Sequence, residues 1–168
     1  MKKLTLVALV GAAALSVATT AAAHRVVTIS GTHGADVLTG TAGADRIHAR
    51  GGNDTVTAGY GNDRVWGGGG NDTLSGGDGN DVLRGRWGDD SIDAGAGADV
   101  VWAGRGTDVA NGGDGDDRIH VLARDRQVDR VDCGAGRDTV WLNAKEQDTH
   151  VNCEVVKTVT VTGDGGDD

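Results

Sequence analysis

The stretch Gly76-Gly77-Asp78-Gly79-Asn80-Asp81-Val82-Leu83-Arg84 is the clearest copy of a nine-residue unit that decides the fold. The unit reads Gly-Gly-x-Gly-x-Asp-x-apolar-x, and residues 67–75 and 112–120 match it equally well. Its second aspartate recurs every nine residues in ten successive copies: Asp36, Asp45, Asp54, Asp63, Asp72, Asp81, Asp90, Asp99, Asp108 and Asp117. Each has a glycine two positions before it and an apolar residue two positions after it. A constant period of this kind indicates a repeat architecture in which neighbouring units stack.

Each unit divides into a turn and a strand. The first six positions are predicted to form a turn, because glycine permits positive φ and a close approach of backbone. The last three are predicted to form a very short strand with one side chain pointing inward. The inward residues are Leu38, Ile47, Val56, Val65, Leu74, Leu83, Ile92, Val101, Ala110 and Ile119. A three-residue strand is not stable alone, so several units must stack.

The composition requires stabilisation from outside the apolar core. The 168-residue chain has 30 glycines, no Phe or Pro, 3% aromatic residues and a formal net charge of -9. Such a composition usually indicates disorder, whereas the strict period argues for a fold that a bound ligand completes. Among the acidic residues only Glu146 and Glu154 are not aspartate. Aspartate suits tight turns and hard cations, and the acidity argues against a nucleic-acid partner.

The period also divides the chain into segments. Residues 1–23 have a basic start, an apolar run and a small-residue site ending at Ala23, which predicts a secretory signal peptide and an extracellular protein. Residues 24–30 are predicted to be a lead-in strand, 31–120 the ten repeats, and 121–162 a C-terminal cap with a degenerate repeat. Residues 163–168 are predicted to be a disordered acidic tail. No second apolar run is long enough to span a membrane.

Two cysteines, Cys133 and Cys153, lie in the predicted cap. An even number of cysteines in an exported chain favours a disulfide between them. The alternative is that both are ligands of a metal site, although their spacing is not that of a CxxC motif.

The ten contiguous copies resemble the RTX (repeats-in-toxin) family of hemolysin-type calcium-binding nonapeptides, and the whole chain is similar to secreted, stand-alone RTX-repeat proteins of actinobacteria. The resemblance implies an all-β, right-handed parallel β-roll, a β-helix solenoid with two repeats per turn and a disulfide-stapled cap. It implies that calcium lies between coils, with up to about eight ions. The implied ligands are the ten repeat aspartate side chains and the backbone carbonyls of Gly61, Gly68, Gly70, Gly77, Gly79, Gly113 and Gly115.

Several repeats depart from the family pattern. The first glycine is replaced at Ala49, Ala58, Ala94 and Ala103, and the second at Thr32, Thr41, Arg50 and Arg86. We expect the first and last repeat aspartates, Asp36 and Asp117, to have a partner on one side only.

Two repeats per turn would place the ninth positions, His48, Trp66, Arg84, Trp102 and His120, in one row on one face. Arg64 lies in the row beside them. Trp and Arg are common interface anchors, so Arg64, Trp66, Arg84 and Trp102 are candidates for a face that binds a cell-surface glycan or a protein. The alternative is that these side chains only pack on each other and shield the sheet.

The sequence indicates no enzymatic centre, since it contains neither HExxH nor GxSxG and its five histidines have no ligand spacing. The predicted function is therefore that of a secreted calcium-binding protein whose repeat array folds when Ca²⁺ binds in the stacked turns. The alternative is an extracellular adhesion or glycan-binding module that uses the Trp/Arg/His face.

Overall fold

The structure is a computed structural model that describes residues 5–7, 26–123 and 125–161. Within these residues it contains sixteen β-strands and no helix, which confirms the all-β class. The strands are β1 (Thr5–Val7), β2 (Val27–Ser30), β3 (Val37–Thr39), β4 (Asp45–Gly51), β5 (Thr55–Tyr60), β6 (Arg64–Gly69), β7 (Thr73–Asp78), β8 (Val82–Trp87), β9 (Ser91–Ala96), β10 (Val100–Arg105), β11 (Val109–Asp114), β12 (Arg118–Val121), β13 (Arg130–Asp132), β14 (Thr139–Asn143), β15 (Thr149–Val151) and β16 (Val155–Val159).

The strands form two parallel sheets, and from β3 to β16 the chain passes alternately from one sheet to the other. The nine-stranded sheet has the order β1-β2-β4-β6-β8-β10-β12-β14-β16, and the seven-stranded sheet has the order β15-β13-β11-β9-β7-β5-β3. Within the repeats, neighbouring strands pair at an offset of eighteen residues, as Val65 does with Leu83 and Leu74 with Ile92. Eighteen residues are two units, so the predicted β-roll with two repeats per turn is confirmed.

The predicted apolar row forms the core. All ten members of the row are at most 2% exposed. A second inward row was not predicted: Ala49, Ala58, Ala94 and Ala103 are also fully buried. The prediction of three-residue strands was wrong, since β5 to β11 each have six residues. Pairing continues through the first three positions of the next unit, so its first residue points inward and must be small.

The turns bring successive coils into close backbone contact. Gly77 and Gly79 have φ of 104° and 136°, and a Cβ on Gly79 would overlap the carbonyl oxygen of Gly61 one coil below. Most units use glycine at both positions, because an L side chain is disfavoured there and would meet backbone. Arg50 and Arg86 adopt the same backbone conformation at φ 85° and 89° while carrying a side chain.

Residues beyond the repeats continue the same roll. Strand pairing changes from eighteen to twenty-one residues, as Val109 pairs with Arg130 and Arg118 with Thr139. Three extra residues are therefore accommodated before β13 and β14, and Val131 and Val140 extend the buried core. The predicted cap thus consists of further strands of both sheets.

The predicted disulfide is confirmed: Cys133 and Cys153 are bonded, with their Cα atoms 5.1 Å apart. Both sulfur atoms are consumed by this bond, so the alternative of two cysteine metal ligands does not apply to this structure. The bond fastens the end of β13 to the chain segment between β15 and β16.

The chain ends lie largely outside the described residues. Of the predicted signal peptide, 1–23, only the backbone of β1 is described, and it pairs with β2. The predicted lead-in contains β2, whereas the predicted tail, 163–168, falls wholly outside. The described residues include no helix with the length and apolar character needed to cross a membrane.

We predict that Gly79→Ala destabilises the roll by at least about 1–2 kcal/mol, the cost of a left-handed conformation for an L residue, with further loss from the overlap with Gly61. Gly69→Ala is the matched control, because a Cβ on Gly69 has no atom within 4 Å and its φ is not positive. Chemical denaturation at saturating calcium measures both variants. Equal losses would contradict this account of coil contact.

Candidate metal centre

The repeat aspartates are connected by hydrogen bonds from coil to coil. The backbone N–H of Asp63 donates to Oδ1 of Asp81 at 2.8 Å, and that of Asp72 donates to Oδ1 of Asp90 at 2.8 Å. One row consists of Asp36, Asp54, Asp72, Asp90, Asp108, Asp129 and Asp148. The other consists of Asp45, Asp63, Asp81, Asp99, Asp117, Asp138 and, at its end, Glu154. We call these the two aspartate rows.

The second carboxylate oxygen of most row members has no donor. Within the described part of the chain, Oδ2 is buried and makes no hydrogen bond in Asp54, Asp63, Asp72, Asp81, Asp90, Asp99, Asp108, Asp117, Asp138 and Asp148. Buried polar atoms are nearly always hydrogen-bonded, and a buried ionised carboxylate requires a positive partner. The rows therefore present regularly spaced oxygens that are suited to a cation or to a proton.

The first coil differs from the others. Thr32 donates its backbone N–H to Oδ2 of Asp36 at 2.5 Å, and its hydroxyl donates to the same oxygen at 2.9 Å. Thr41 donates its N–H to Oδ2 of Asp45 at 2.5 Å and its hydroxyl to Oδ1 at 3.2 Å. The carboxylates of these two turns are thus satisfied by the chain itself, at the places where threonine replaces the second glycine.

Any cation between the coils would need oxygens from the backbone as well. No group of three or more His, Cys, Asp or Glu side chains close enough to hold a metal occurs among residues 26–123 and 125–161. Of the predicted carbonyl donors, four lie in the turns between strands, namely Gly61, Gly70, Gly79 and Gly115, whereas Gly68, Gly77 and Gly113 are paired residues inside β6, β7 and β11. The carbonyl of Gly113 already accepts a hydrogen bond from the N–H of Ala135 at 2.7 Å, which leaves it one lone pair.

Burial raises the pKa values of the row carboxyl groups and so disfavours their ionised form. Burial, opposed in part by the hydrogen bond from Asp45 and reinforced by the charges of Asp81 and Asp45, raises the pKa of Asp63 to about 7. Burial and the charges of Asp108, Asp72 and Asp89 raise the pKa of Asp90 to about 8 against the opposing hydrogen bond from Asp72. Without a metal, the rows therefore combine desolvation with repulsion between like charges.

The sequence analysis missed the last members of both rows. Oδ1 of Asp138 accepts the N–H of Asp117, so the expectation that Asp117 has a partner on one side only was wrong. Asp129 likewise accepts the N–H of Asp108 at 2.8 Å. The signal was present, since residues 134–140 repeat the Gly-x-Gly-x-Asp-x-apolar spacing. The three-residue insertion before it breaks the nine-residue count.

The predicted Trp/Arg/His row lies on the nine-stranded sheet, and its members stack on one another in two groups. His48 stacks on Trp66 with ring centroids 4.3 Å apart, and Trp102 stacks on His120 at 5.1 Å. The guanidinium of Arg84 lies 4.4 Å from the ring centre of Trp102. Trp141 and Lys157, which the sequence did not place there, extend the stack beyond His120. We call this the ring ladder.

Within the ring ladder, neighbouring side chains cover most of the faces of the aromatic rings. Trp102 lies between Arg84 and His120, and Trp141 lies between His120 and Lys157. Neither indole therefore offers an open face to another planar group. Burial and the charge of Arg118 lower the pKa of His120, while burial and three arginines lower that of His48.

We predict that the metal-free chain gains β-structure as the pH falls. The row pKa values are raised on folding, so the folded state binds more protons than the unfolded chain, and its stability decreases as pH rises through about 6–8. Far-UV circular dichroism in chelator, from about pH 8.5 to about pH 5.5, measures this. A metal-free chain that becomes more structured towards high pH would contradict it.

Comparison with known families supports the same chemistry. The family model of the RTX calcium-binding nonapeptide repeat matches the chain in four copies, at residues 30–65, 50–83, 57–92 and 84–119. None of the curated proteins that were compared with the chain matches it significantly. The matched copies together span 30–119, more than half of the 168 residues, and include all ten repeat aspartates. The chain therefore belongs to the RTX calcium-binding nonapeptide repeat family.

Proposed function

We propose that this chain is a secreted calcium-binding protein whose repeat array folds when Ca²⁺ binds in its stacked turns. The observation that carries the proposal is the series of buried Oδ2 atoms without donors along both aspartate rows. Each is an anionic oxygen that folding removes from water without replacing the lost hydrogen bonds. A bound cation supplies the missing partner, so metal binding and folding are one process.

The donor set favours calcium over other metals. Carboxylate and carbonyl oxygens are hard ligands, and the rows contain neither cysteine nor histidine. Calcium accepts six to eight oxygens in irregular geometry, whereas magnesium demands a near-ideal octahedron and keeps its waters. In the proposed sites the row aspartates supply Oδ2, and the glycine carbonyls of the turns supply most of the remaining oxygens.

The proposed sites begin at Asp54 and Asp63 rather than at the first repeats. Thr32 and Thr41 already occupy the carboxylates of Asp36 and Asp45, so these two turns have no orphaned oxygen for a metal. We infer that the first coil closes without calcium and provides a template for the coils that follow. At the other end, the orphaned oxygens of Asp138 and Asp148 extend the candidate sites beyond the repeats.

Secretion is supported by the N-terminal sequence and by the disulfide between Cys133 and Cys153. Disulfides persist in oxidising compartments, and extracellular calcium modules bind at about 10⁻⁴–10⁻³ M. A chain that requires such concentrations stays unfolded in the cytosol and folds after export. Arrays of this family are generally structural, and we propose no enzymatic activity for this one.

A second candidate function is attachment to an extracellular partner through the outer face of the nine-stranded sheet. The observation that favours it is the concentration of Arg46, Arg64, Arg84 and Arg118 on one face of an acidic chain. Trp102, which the sequence analysis included in this face, is better placed to hold Arg84 than to contact a partner directly, and Trp66 is stacked on His48.

We predict a cooperative coil-to-β transition of the mature chain on titration with calcium, centred at about 10⁻⁴–10⁻³ M and absent with magnesium. The physical reason is that calcium removes the repulsion within the aspartate rows. Far-UV circular dichroism follows the transition, and calorimetry counts the ions. A chain that is fully folded in chelator at neutral pH would contradict the proposed function.

We predict that Asp81→Asn destabilises the fold only when calcium is bound. Asparagine Oδ1 can still accept the N–H of Asp63, so the substitution removes the charge of a row member and keeps its hydrogen bond. With calcium, the free energy of unfolding should fall by about 1–3 kcal/mol, in the range of buried polar substitutions. In chelator it should be unchanged or rise, because one buried charge is lost.

Asp78→Asn is the matched control for this prediction. Asp78 lies three residues before Asp81 in the same nine-residue unit, at the exposed end of β7, and belongs to neither aspartate row. Calcium titrations and thermal melts of both variants separate the effect of the row position from the effect of net charge. If both substitutions weaken calcium-dependent folding equally, the assignment of the row oxygens to the metal is wrong.

A further inference from the structure

The outer face of the nine-stranded sheet carries basic side chains and no acidic ones. Its outward positions in the described strands β2 to β16 include no Asp or Glu, because Asp45, the one acidic residue within these strands, is buried. The basic members of the face are Arg46, Arg50, Arg64, Arg84, Arg86, Arg105, Arg118 and Lys157. We call this surface the basic face. The opposite sheet carries Asp93 and Asp132 outward instead.

Calcium loading would increase the positive potential of this face. The aspartate rows lie directly inside the turns, and their charges oppose those of the arginines while the rows are free of metal. Once the rows are neutralised, as the proposed function requires, the basic face is the dominant charged surface on the nine-stranded side. Unlike charges attract over about 8–10 Å at physiological ionic strength, so an approaching polyanion would respond to the whole face.

The ring ladder holds part of this charge in place. Arg84 is stacked on Trp102 and Lys157 lies over Trp141, so both cations are positioned before any partner arrives. Positioned cations lose less side-chain entropy when they bind an anion. Arg46 and Arg64, which lie on adjacent strands, border a groove of about 240 Å³ whose floor includes the row members Asp45 and Asp63. The basic face therefore combines positioned positive charges with a groove.

One aromatic side chain on this sheet is open to solvent. Trp87 is 58% exposed and lies at the end of β8, where its pairing partners are Gly69 on one side and Arg105 on the other. The space beside Gly69 is empty, since a Cβ there would have no atom within 4 Å. The indole thus has open space next to it. Arg86 precedes it in β8, and Arg105 is its pairing partner in β10.

We propose that the basic face, with Trp87 at its edge, binds an acidic polysaccharide. Its arginines would pair with the sulfate or carboxylate groups, while the apolar face of one sugar ring would lie against the exposed indole. Single-stranded nucleic acids instead stack successive bases on several open aromatic faces. Here the ladder rings Trp102 and Trp141 are covered on both sides and Trp66 is covered by His48 on one, so a series of open aromatic faces for successive bases is not present.

The experiment compares dextran sulfate with neutral dextran of the same length and with an oligothymidylate, using calcium-loaded protein and isothermal calorimetry. We expect dextran sulfate to bind, neutral dextran not to bind, and the oligothymidylate to bind at least about tenfold more weakly than dextran sulfate. Affinity for dextran sulfate should fall with added salt. Binding of neutral dextran, or oligothymidylate binding equal to that of dextran sulfate, would overturn the proposal.

Two pairs of substitutions test the location of the site. Arg46→Ser with Arg64→Ser should weaken dextran sulfate binding by about tenfold. Arg130→Ser with Arg137→Ser removes the same charge from exposed positions outside the basic face and should change it by less than about twofold. Equal losses in the two double variants would mean unspecific attraction, or calcium bridging to the acidic turns, and would overturn the proposal.

Trp87→Ala tests the sugar contact. Tyr60→Ala is its control, because Tyr60 is 62% exposed at the equivalent position of the opposite sheet, paired with Asp78. We expect a loss of affinity with the first variant only, and equal affinities for the two variants would overturn the part assigned to Trp87.

The inference rests on the proposed calcium-dependent folding, which circular dichroism follows separately. If the chain folds with calcium but does not bind dextran sulfate, the polysaccharide site is refuted and the proposed calcium-dependent folding is not.

Discussion

Each coil from the second onward buries aspartate oxygens for which the chain supplies no hydrogen-bond donor, and this desolvation of negative charge governs the rest of the molecule. A typical domain satisfies such atoms with its own N–H and O–H groups. Among the residues that the structure describes, the carboxylates of the first coil are satisfied in this way, through Thr32 and Thr41. Elsewhere the second oxygen is left for a cation, so the free energy of folding depends on what the solvent contains.

The burial of these charges depends on close contact between successive coils. The backbone N–H of one aspartate reaches the carboxylate of the next coil only because the turns lie against each other, as at Asp63 and Asp81. That distance leaves no room for side chains at Gly77 and Gly79. The core is correspondingly thin, with one apolar and one very small residue per unit. Such a core buries little apolar area, so the metal must provide stability that a larger core would otherwise supply.

The sequence predicted those features that depend only on counting residues. A nine-residue period with two units per turn determines which residues stack, so the aspartate rows, the apolar row and the row from His48 to His120 could all be placed. The inward direction of Ala49 and Ala58 could not, because glycine and alanine carry almost no hydrophobic signal and the length of strand pairing depends on the neighbouring coil. The positions of Asp129 and Asp138 depend on how an irregular segment of the roll absorbs three residues, which periodicity does not describe.

The ring ladder shows why a list of aromatic and basic residues is a poor guide to binding. Composition alone gives Trp66, Trp102 and Trp87 the same meaning, since all three are indoles beside arginines on one sheet. Stacking separates them: Trp102 is enclosed between Arg84 and His120, whereas Trp87 pairs with Gly69 and Arg105 and is largely exposed. The enclosed indole stabilises a cation, and the open one can contact a ligand. The strand register that buries the aspartates in one turn thus also decides which outer side chains remain available, so calcium binding and surface recognition are linked through the same pairing of coils.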